Sequence, residues 1–295
     1  MKIVILSESR ADFGGVEPIY NEAKRRGHET RYHGQHGSWI DLKNMDWFIF
    51  LGDRAGVLRE VLRVAEEFPG VGLAHLSGGD SQNGNLVDEP VRHSLSKFAH
   101  VHFPCTHLSA DRLIRHGEAP NRIYTVGSTM VDDLVNFKPV KKNYKQYDLV
   151  QMHPAPNWQI DLREIITLPK FPKIFMMPND DPGYGEKPKG ISYLNPLSRP
   201  DFLQLLWNCN YFVGNSSAMY LEAQYLGVPC VQVGERNDGR ESAFEIGTAD
   251  HRTDMGLRVD WQKGAHGDGT AAEQILDILE FVGKPDKDYL RRRWT

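Results

Sequence analysis

Cysteine is scarce. Only Cys105, Cys209 and Cys230 occur in 295 residues, odd in number, far apart and with no C-x-x-C pair. This excludes a disulfide framework or a zinc ribbon as the organising device, and leaves buried thiols in a reducing compartment as the expectation. Long apolar runs are missing as well: none approaches the ~20 residues that cross a bilayer, so no membrane association is expected. The opening MKIVILSESR reaches a charged loop too soon for a secretory signal, and a cytoplasmic protein is expected. Positive charge is not in excess either, since 35 Lys and Arg face 39 Asp and Glu for a formal net charge of −4. Without a global basic field the chain has little to attract a nucleic-acid backbone, although a local groove could still be basic. Neither repeats at solenoid periods nor low-complexity tracts occur.

What is present is ordinary globular material, 40% hydrophobic and 25% charged, in a length that suits two domains. Short apolar runs alternate with amphipathic stretches from the start. KIVILSES reads as a buried strand, and VEPIYNEAKRRG has helical spacing closed by Gly27. HETRYHG, MDWFIFLGD, GVGLAHLSGG, VHFPCT and RIYTVGST continue the strands; RAGVLREVLRVAEEF and DEPVRHSLSKFA are helices between them. Runs that are apolar on both faces predict parallel sheets covered on both sides. The polar, lysine-rich segment Asn136 to Asp148 breaks this rhythm and reads as a linker. Beyond it LVQMHP, KIFMMPN, GISYLNP, YFVGNSS and VPCVQVG resume the strands, with helices near Asp201–Cys209, Ser217–Leu226 and Thr270–Val282. The expected fold class is therefore α/β: two Rossmann-like parallel-sheet domains, residues 1–138 and 139–295, facing across a cleft.

In such sheets a ligand sits beyond the carboxyl ends of the strands. Those ends carry Ser7–Asp12, Gly52-Asp53-Arg54, His75–Asp80, His153, Asn179–Asp181, Gly214–Ser217 and Gly234–Arg240. GNSSAMYLEA predicts a helix capped by Asn215 or Ser216, whose free N–H groups suit a phosphate, or simply an ordinary N-cap. Glu222 further along could accept from ribose hydroxyls or be a solvated carboxylate. Arg236 and Arg240 in GERNDGRESA could neutralise a diphosphate with forked donors, or lie in a solvated loop. Taken together, the three features point to a nucleotide site.

At the first sheet Asp53 is a candidate N-cap or site carboxylate, and Arg10 a cation for a phosphate or carboxylate. Asp53, Asp80, Asp88 and Glu89 could converge, and neighbouring carboxylates separate their proton affinities into an acid and a base. Arg92 and His93 could orient them or form a structural ion-pair network. His153, ending the first strand of the second domain, is a further candidate. His28, His33 and His36 suit a metal only weakly, and no metal is expected.

Taken as a set, SRADFGGVEPIY, LGDRAGVLREVLRVA, HLSGGD with DEPVRHSLSKFAHVHF, RHGEAPNRIYTVGSTMVDDL, HPAPNW, MMPNDDPG and GNSSAMYLEAQYLGVPCVQVGERNDGR resemble the UDP-N-acetylglucosamine 2-epimerase family, its hydrolysing branch above all. The resemblance implies a glycosyltransferase-B fold, with sugar chemistry on the first domain and UDP on the second. It implies Ser216 and Ser217 at the diphosphate, Glu222 at the ribose, Phe202 by the uracil, and Arg10 by the phosphates. It places Asp53, Asp88 and His153 in or beside the chemistry; Arg92, Arg236 and Arg240 are expected, from their own placement, to bind the UDP-sugar. It also implies a nucleotide sugar as substrate, no cofactor, and a homodimer. One departure stands out: the family pattern has a glutamate where this chain has Ser77. Loss of that carboxylate brings in an alternative, a glycosyltransferase passing the sugar to a glycan, a small molecule or a modified DNA base. A third reading is a nucleotide-sugar sensor.

Overall fold

A computed structural model describes residues 1–8, 10–34, 42–83, 87–141, 146–167, 171–178, 185–241, 247–248 and 265–291. The chain divides into two compact units. Met1–Asp80, Val87–Asp133 and Ala265–Thr295 form the first, and Ser81–Leu86 with Leu134–Gly264 the second.

The first unit is built on strands β1 (Lys2–Leu6), β2 (Glu29–His33), β3 (Trp47–Phe50), β4 (Gly72–Leu76) and β5 (Val101–Phe103), in the order β2-β1-β3-β4-β5. Every pairing is parallel, with Ile3 opposite Trp47 and Phe50 opposite His75. The sequences KIVIL, WFIF and GLAHL carry apolar side chains to both faces, as a doubly covered sheet demands. On one face lie α2 (Ala55–Glu67) and α3 (Asp88–Phe98). Val57, Val61 and Val64 of α2, spaced for one helical face, are fully buried and contribute about 1.5–3 kcal/mol each. On the other face is α1 (Arg10–Arg25), together with a helix from the far end of the chain, α8 (Ala271–Val282). α4 (His107–Arg115) follows β5, and the Thr106 hydroxyl caps it by accepting from Ser109 N at 3.1 Å. RIYTVGST forms no strand of its own and contributes only a parallel bridge between His102 and Ile123.

The position of α8 differs from a single division near residue 138. Ala271, Ala272, Ile275, Leu276 and Leu279 complete the apolar cluster of Ile3, Ile5, Val16 and Ile19. Asp132 fixes its start, its carboxylate accepting from Ala271 N at 3.1 Å and Ala272 N at 2.7 Å, while burial raises its pKa to about 6. Beside it the backbones of two glycines nearly touch. A Cβ on Gly127 would lie 2.8 Å from the Gly267 Cα, and Ser128 N donates to His266 O at 2.7 Å.

The second unit has β6 (Asp148–Gln151), β7 (Lys173–Met176), β8 (Tyr193–Leu194), β9 (Phe212–Gly214), β10 (Cys230–Gln232) and β11 (Gly247–Thr248), ordered β11-β10-β9-β6-β7-β8 and all parallel. Helices α5 (Trp158–Thr167) and α6 (Arg199–Asn208) accompany them. The expected helix Ser217–Leu226 is broken into a 3-10 turn, Ser217–Met219, and one α turn, α7 (Glu222–Tyr225). Ala218, Met219 and Tyr220 are consecutive and all buried, which a straight helix with one inward face cannot provide. Within the linker, Val140 is tied to α6. It donates to Gln204 Oε1 at 3.0 Å and accepts from Gln204 Nε2 at 2.6 Å and Asn208 Nδ2 at 3.2 Å. A short α9 (Lys287–Leu290) ends the described chain. No helix among the described residues is long and apolar enough to cross a membrane.

Candidate active site

At the carboxyl end of the first sheet the polar residues gather around one cation. Arg92, on the second turn of α3, is 5% exposed. Its Nη2 donates to Asp53 Oδ2 and its Nη1 to Glu89 Oε1, with a longer contact to Asp80 O at 3.4 Å. Burial disfavours the guanidinium charge, but the carboxylates of Asp53, Asp80 and Glu89 outweigh that and hold its pKa above the usual value. Asp53 is thus not the cap of α2. Arg54 occupies that position and its side chain makes no capping bond to the helix; the carboxylate of Glu8 accepts from Val57 N at 3.1 Å instead. Gly56 makes this approach feasible, since a Cβ there would meet the Glu8 carboxylate at 2.3 Å. Sequence reasoning missed Glu8; the glycine just inside a helix start was the available signal.

Asp88 opens α3 and is buried. Glu89 is shared: Oε1 faces Arg92 and Oε2 lies 3.3 Å from His93 Nε2. The His93 ring meets His116 edge-on at 4.7 Å between centroids. Behind them His75 stacks on Phe50 and pairs with Ser96 Oγ at 3.1 Å. Burial first, then the nearby His102, Arg92 and His93, push its pKa well below the ordinary range and keep the ring neutral. His102 reaches Glu118 Oε2 at 3.2 Å, and Lys97 completes that buried carboxylate at 2.8 Å. Ser77 has a left-handed backbone (φ 57°), and its hydroxyl lies 3.2 Å from Cys105 Sγ. Gly79 permits the turn that follows, because at φ 78° a Cβ would sit 2.1 Å from Ser109 O. Arg10 opens α1, and its side chain lies outside the described part.

The second unit gathers its polar residues by backbone contacts. Gly214 ends β9 at φ 143°, where a Cβ would stand 2.0 Å from Gln151 O, so only glycine lets β9 and β6 close at this point. Asn215 then bridges the strands. Its Oδ1 accepts from His153 N at 2.6 Å and its Nδ2 donates to His153 O at 2.9 Å. The carbonyl of Asn215 accepts from Arg236 Nη1 at 3.2 Å and Asn237 Nδ2 at 2.9 Å. Ser216 is the cap, its Oγ accepting from Ala218 N at 3.3 Å, and Ser217 begins the 3-10 turn. His153 is buried, and burial with the nearby Arg236 charge depresses its pKa to about 3. It is a neutral imidazole at physiological pH. Glu222 is 3% exposed; Oε1 accepts from Arg199 Nη1 at 2.8 Å. Phe202 stands one turn beyond Arg199 on α6 and packs against the cluster that includes Met219 and Ala223. Arg240 donates to Gln82 Oε1 at 2.6 Å.

The structure therefore brings Asp53, Glu89 and Arg92 into contact, and separately joins His153, Asn215, Ser216, Arg236 and Asn237. Asn179–Asp181 of MMPNDDPG, and His36, fall outside the described residues. Arg199 and Asn237 were missed by sequence reasoning; an arginine one helical turn before Phe202 was the signal for the first. Among the described residues no group of three or more His, Cys, Asp or Glu is placed to hold a metal ion.

Parallel pairing throughout two sheets, with polar turns collected at the strand ends, defines an α/β protein of the glycosyltransferase-B class. Solved structures agree: a Methanocaldococcus jannaschii UDP-GlcNAc 2-epimerase, in complex with UDP-GlcNAc and UDP, superposes with a TM-score of 0.76 over 95% of this chain and 100% of that one, at 20% identity. The family model for UDP-N-acetylglucosamine 2-epimerase matches residues 35–280, and the chain belongs to that family. Among relatives, the UDP-N,N'-diacetylbacillosamine 2-epimerase (hydrolyzing) of Legionella pneumophila is 28% identical over 279 residues, 82% of this chain and 73% of that protein. The UDP-N-acetylglucosamine 2-epimerase of Neisseria meningitidis serogroup B is 29% identical over 61% of this chain, which spans 54% of that protein.

Proposed function

We propose that the protein is a UDP-N-acetylglucosamine 2-epimerase-type enzyme, with the first unit handling the sugar and the second holding UDP. The observation that carries this reading is the Asp53–Arg92–Glu89 cluster. Epimerisation at C2 through elimination needs a carboxylate base held in a fixed position, and Arg92 fixes two carboxylates here. The C2 proton leaves to a carboxylate as the C1–O bond to UDP breaks, giving a C1=C2 double bond. A proton then returns to the opposite face of C2 while water, or UDP, adds at C1. Both steps are redox-neutral, so the reading needs no cofactor.

Arg92 binds one edge of Asp53, which keeps a quarter of its side chain exposed and is the proposed base. Asp88 is the second proposed carboxylate and neutral His153 a proton donor or acceptor. Ser216, Ser217, Arg236 and Arg240, with Arg10, are assigned to the diphosphate, Glu222 to the ribose and Phe202 to the uracil. Ser77, turned onto Cys105, takes no part in proton transfer at C2, so Ser77→Ala should retain turnover. The hydrolysing activity named for the Legionella pneumophila relative favours water as the nucleophile at C1, and a cytoplasmic setting is part of the proposal.

The test is an NMR time course of the protein with UDP-N-acetylglucosamine in deuterated water. N-acetylmannosamine, free or as its UDP form, with deuterium at C2 is the expected product. Binding of UDP with no C2 exchange would overturn the reading. Asp88→Asn should then abolish turnover while UDP still binds.

A further inference from the structure

Glu222 is a buried carboxylate held on one side only. Its Oε1 accepts from Arg199 Nη1 at 2.8 Å, while Oε2, shielded from solvent, has no hydrogen-bond partner. A buried acceptor without a donor costs about 1–3 kcal/mol, more when charged, so a fold that keeps one holds it for an incoming donor. Arg199 is well placed to preset it. It is the first residue of α6, and Ser198 caps that helix by accepting from Asp201 N at 3.3 Å, so its backbone is anchored. Its side chain is a quarter exposed and that of Glu222 almost not at all, which leaves the carboxylate little freedom to turn. Phe202 lies three positions further along the same helix, on the same side.

We propose that Arg199 is the positioning residue that makes this site select a ribonucleotide: by fixing Glu222 Oε1 it aims Oε2 at a ribose hydroxyl. This rests on the proposed nucleotide role of the second unit. One oxygen is neutralised and immobile and the other is presented dry, so a hydroxyl gains a charge-assisted bond that water does not already supply. A deoxynucleotide that lacks this hydroxyl offers Oε2 no donor and gains nothing there. Arg199 touches Glu222, not the ligand, and acts through it.

Calorimetric titration with UDP, 2′-deoxy-UDP and 3′-deoxy-UDP tests this. Wild type is expected to bind at least one deoxy analogue about tenfold or more weakly than UDP. In R199K, which keeps charge but loses the planar fork, UDP affinity should fall while the affinity for that analogue stays, so the preference collapses toward unity. R199M/E222Q removes both charges, leaves no buried ion uncompensated, and should show the same loss of preference with an unchanged fold by circular dichroism. A purely structural Arg199 would weaken all three ligands alike. That result, or a preference that survives in both variants, overturns the proposal. Failure of wild type to bind UDP at all would instead overturn the nucleotide assignment.

Discussion

In the first unit the buried cation Arg92 is held by the carboxylates of Asp53 and Glu89, whereas at the strand ends of the second unit the holding groups are amides and backbone carbonyls around a neutral His153. The proposed roles fit that difference. The carboxylate proposed as a base is fixed by a cation beside it, and the turn proposed for the diphosphate is fixed by neutral bonds from Asn215 and Asn237. Removing one member of the charged set strands an ion. Removing an amide strands dipoles, which is less severe.

That ranking can be broken by measurement. Arg92→Met should show the largest loss, about 3–5 kcal/mol in urea unfolding, because Asp53 and Glu89 lose their shared partner. A loss under about 1 kcal/mol would mean that water already solvates the cluster. Asn215→Ala should come next, at about 2–3 kcal/mol, since the N–H and carbonyl of His153 lose their partner together. The pH dependence is smaller. An unfolded histidine takes up its proton near 6.5, but folded His153 resists until about 3. Between those values the unfolded chain binds more protons, so this contribution is complete above pH 6.5 and declines with acid. Going to about pH 5 should lower stability by up to about 2 kcal/mol, and His153→Gln should flatten that slope. The smallest change is expected for Lys97→Met, about 1 kcal/mol, because His102 still faces the buried Glu118 carboxylate. A loss as large as that of Arg92→Met would erase the distinction between a shared cation and a peripheral one.

Much of this was legible in the sequence. Continuous runs as short as KIVIL and WFIF, alternating with amphipathic stretches, suit strands buried on both faces, and the rule of ligands at strand ends pointed to Asp53, His153 and the Gly214–Ser217 turn. Less visible were contacts between residues remote in sequence. Nothing local says that Glu8 rather than Asp53 meets the start of α2, because that depends on the packing of β1 beside β3. The break inside 217–226 is dictated by which side chains the core accepts, not by helix propensity. Arg199 was overlooked because its partner lies 23 positions away. The last helix was read into the nearer unit, since an amphipathic pattern gives the apolar face but not the sheet it will cover.

The return of α8 to the first sheet makes the second unit an inset rather than a sequel. Apart from the short excursion Ser81–Leu86, the chain leaves the first unit after Asp133 and re-enters it at Ala265, and the close pass of Gly127 and Gly267 brings the flanks of this longer excursion together. A protein built this way cannot be halved by one cut: any truncation before Ala271 strips a helix from the first core. It can be shortened from within. Joining Asp133 to Ala265 through a few flexible residues closes a small loop at little entropic cost and keeps both sides of the first sheet covered.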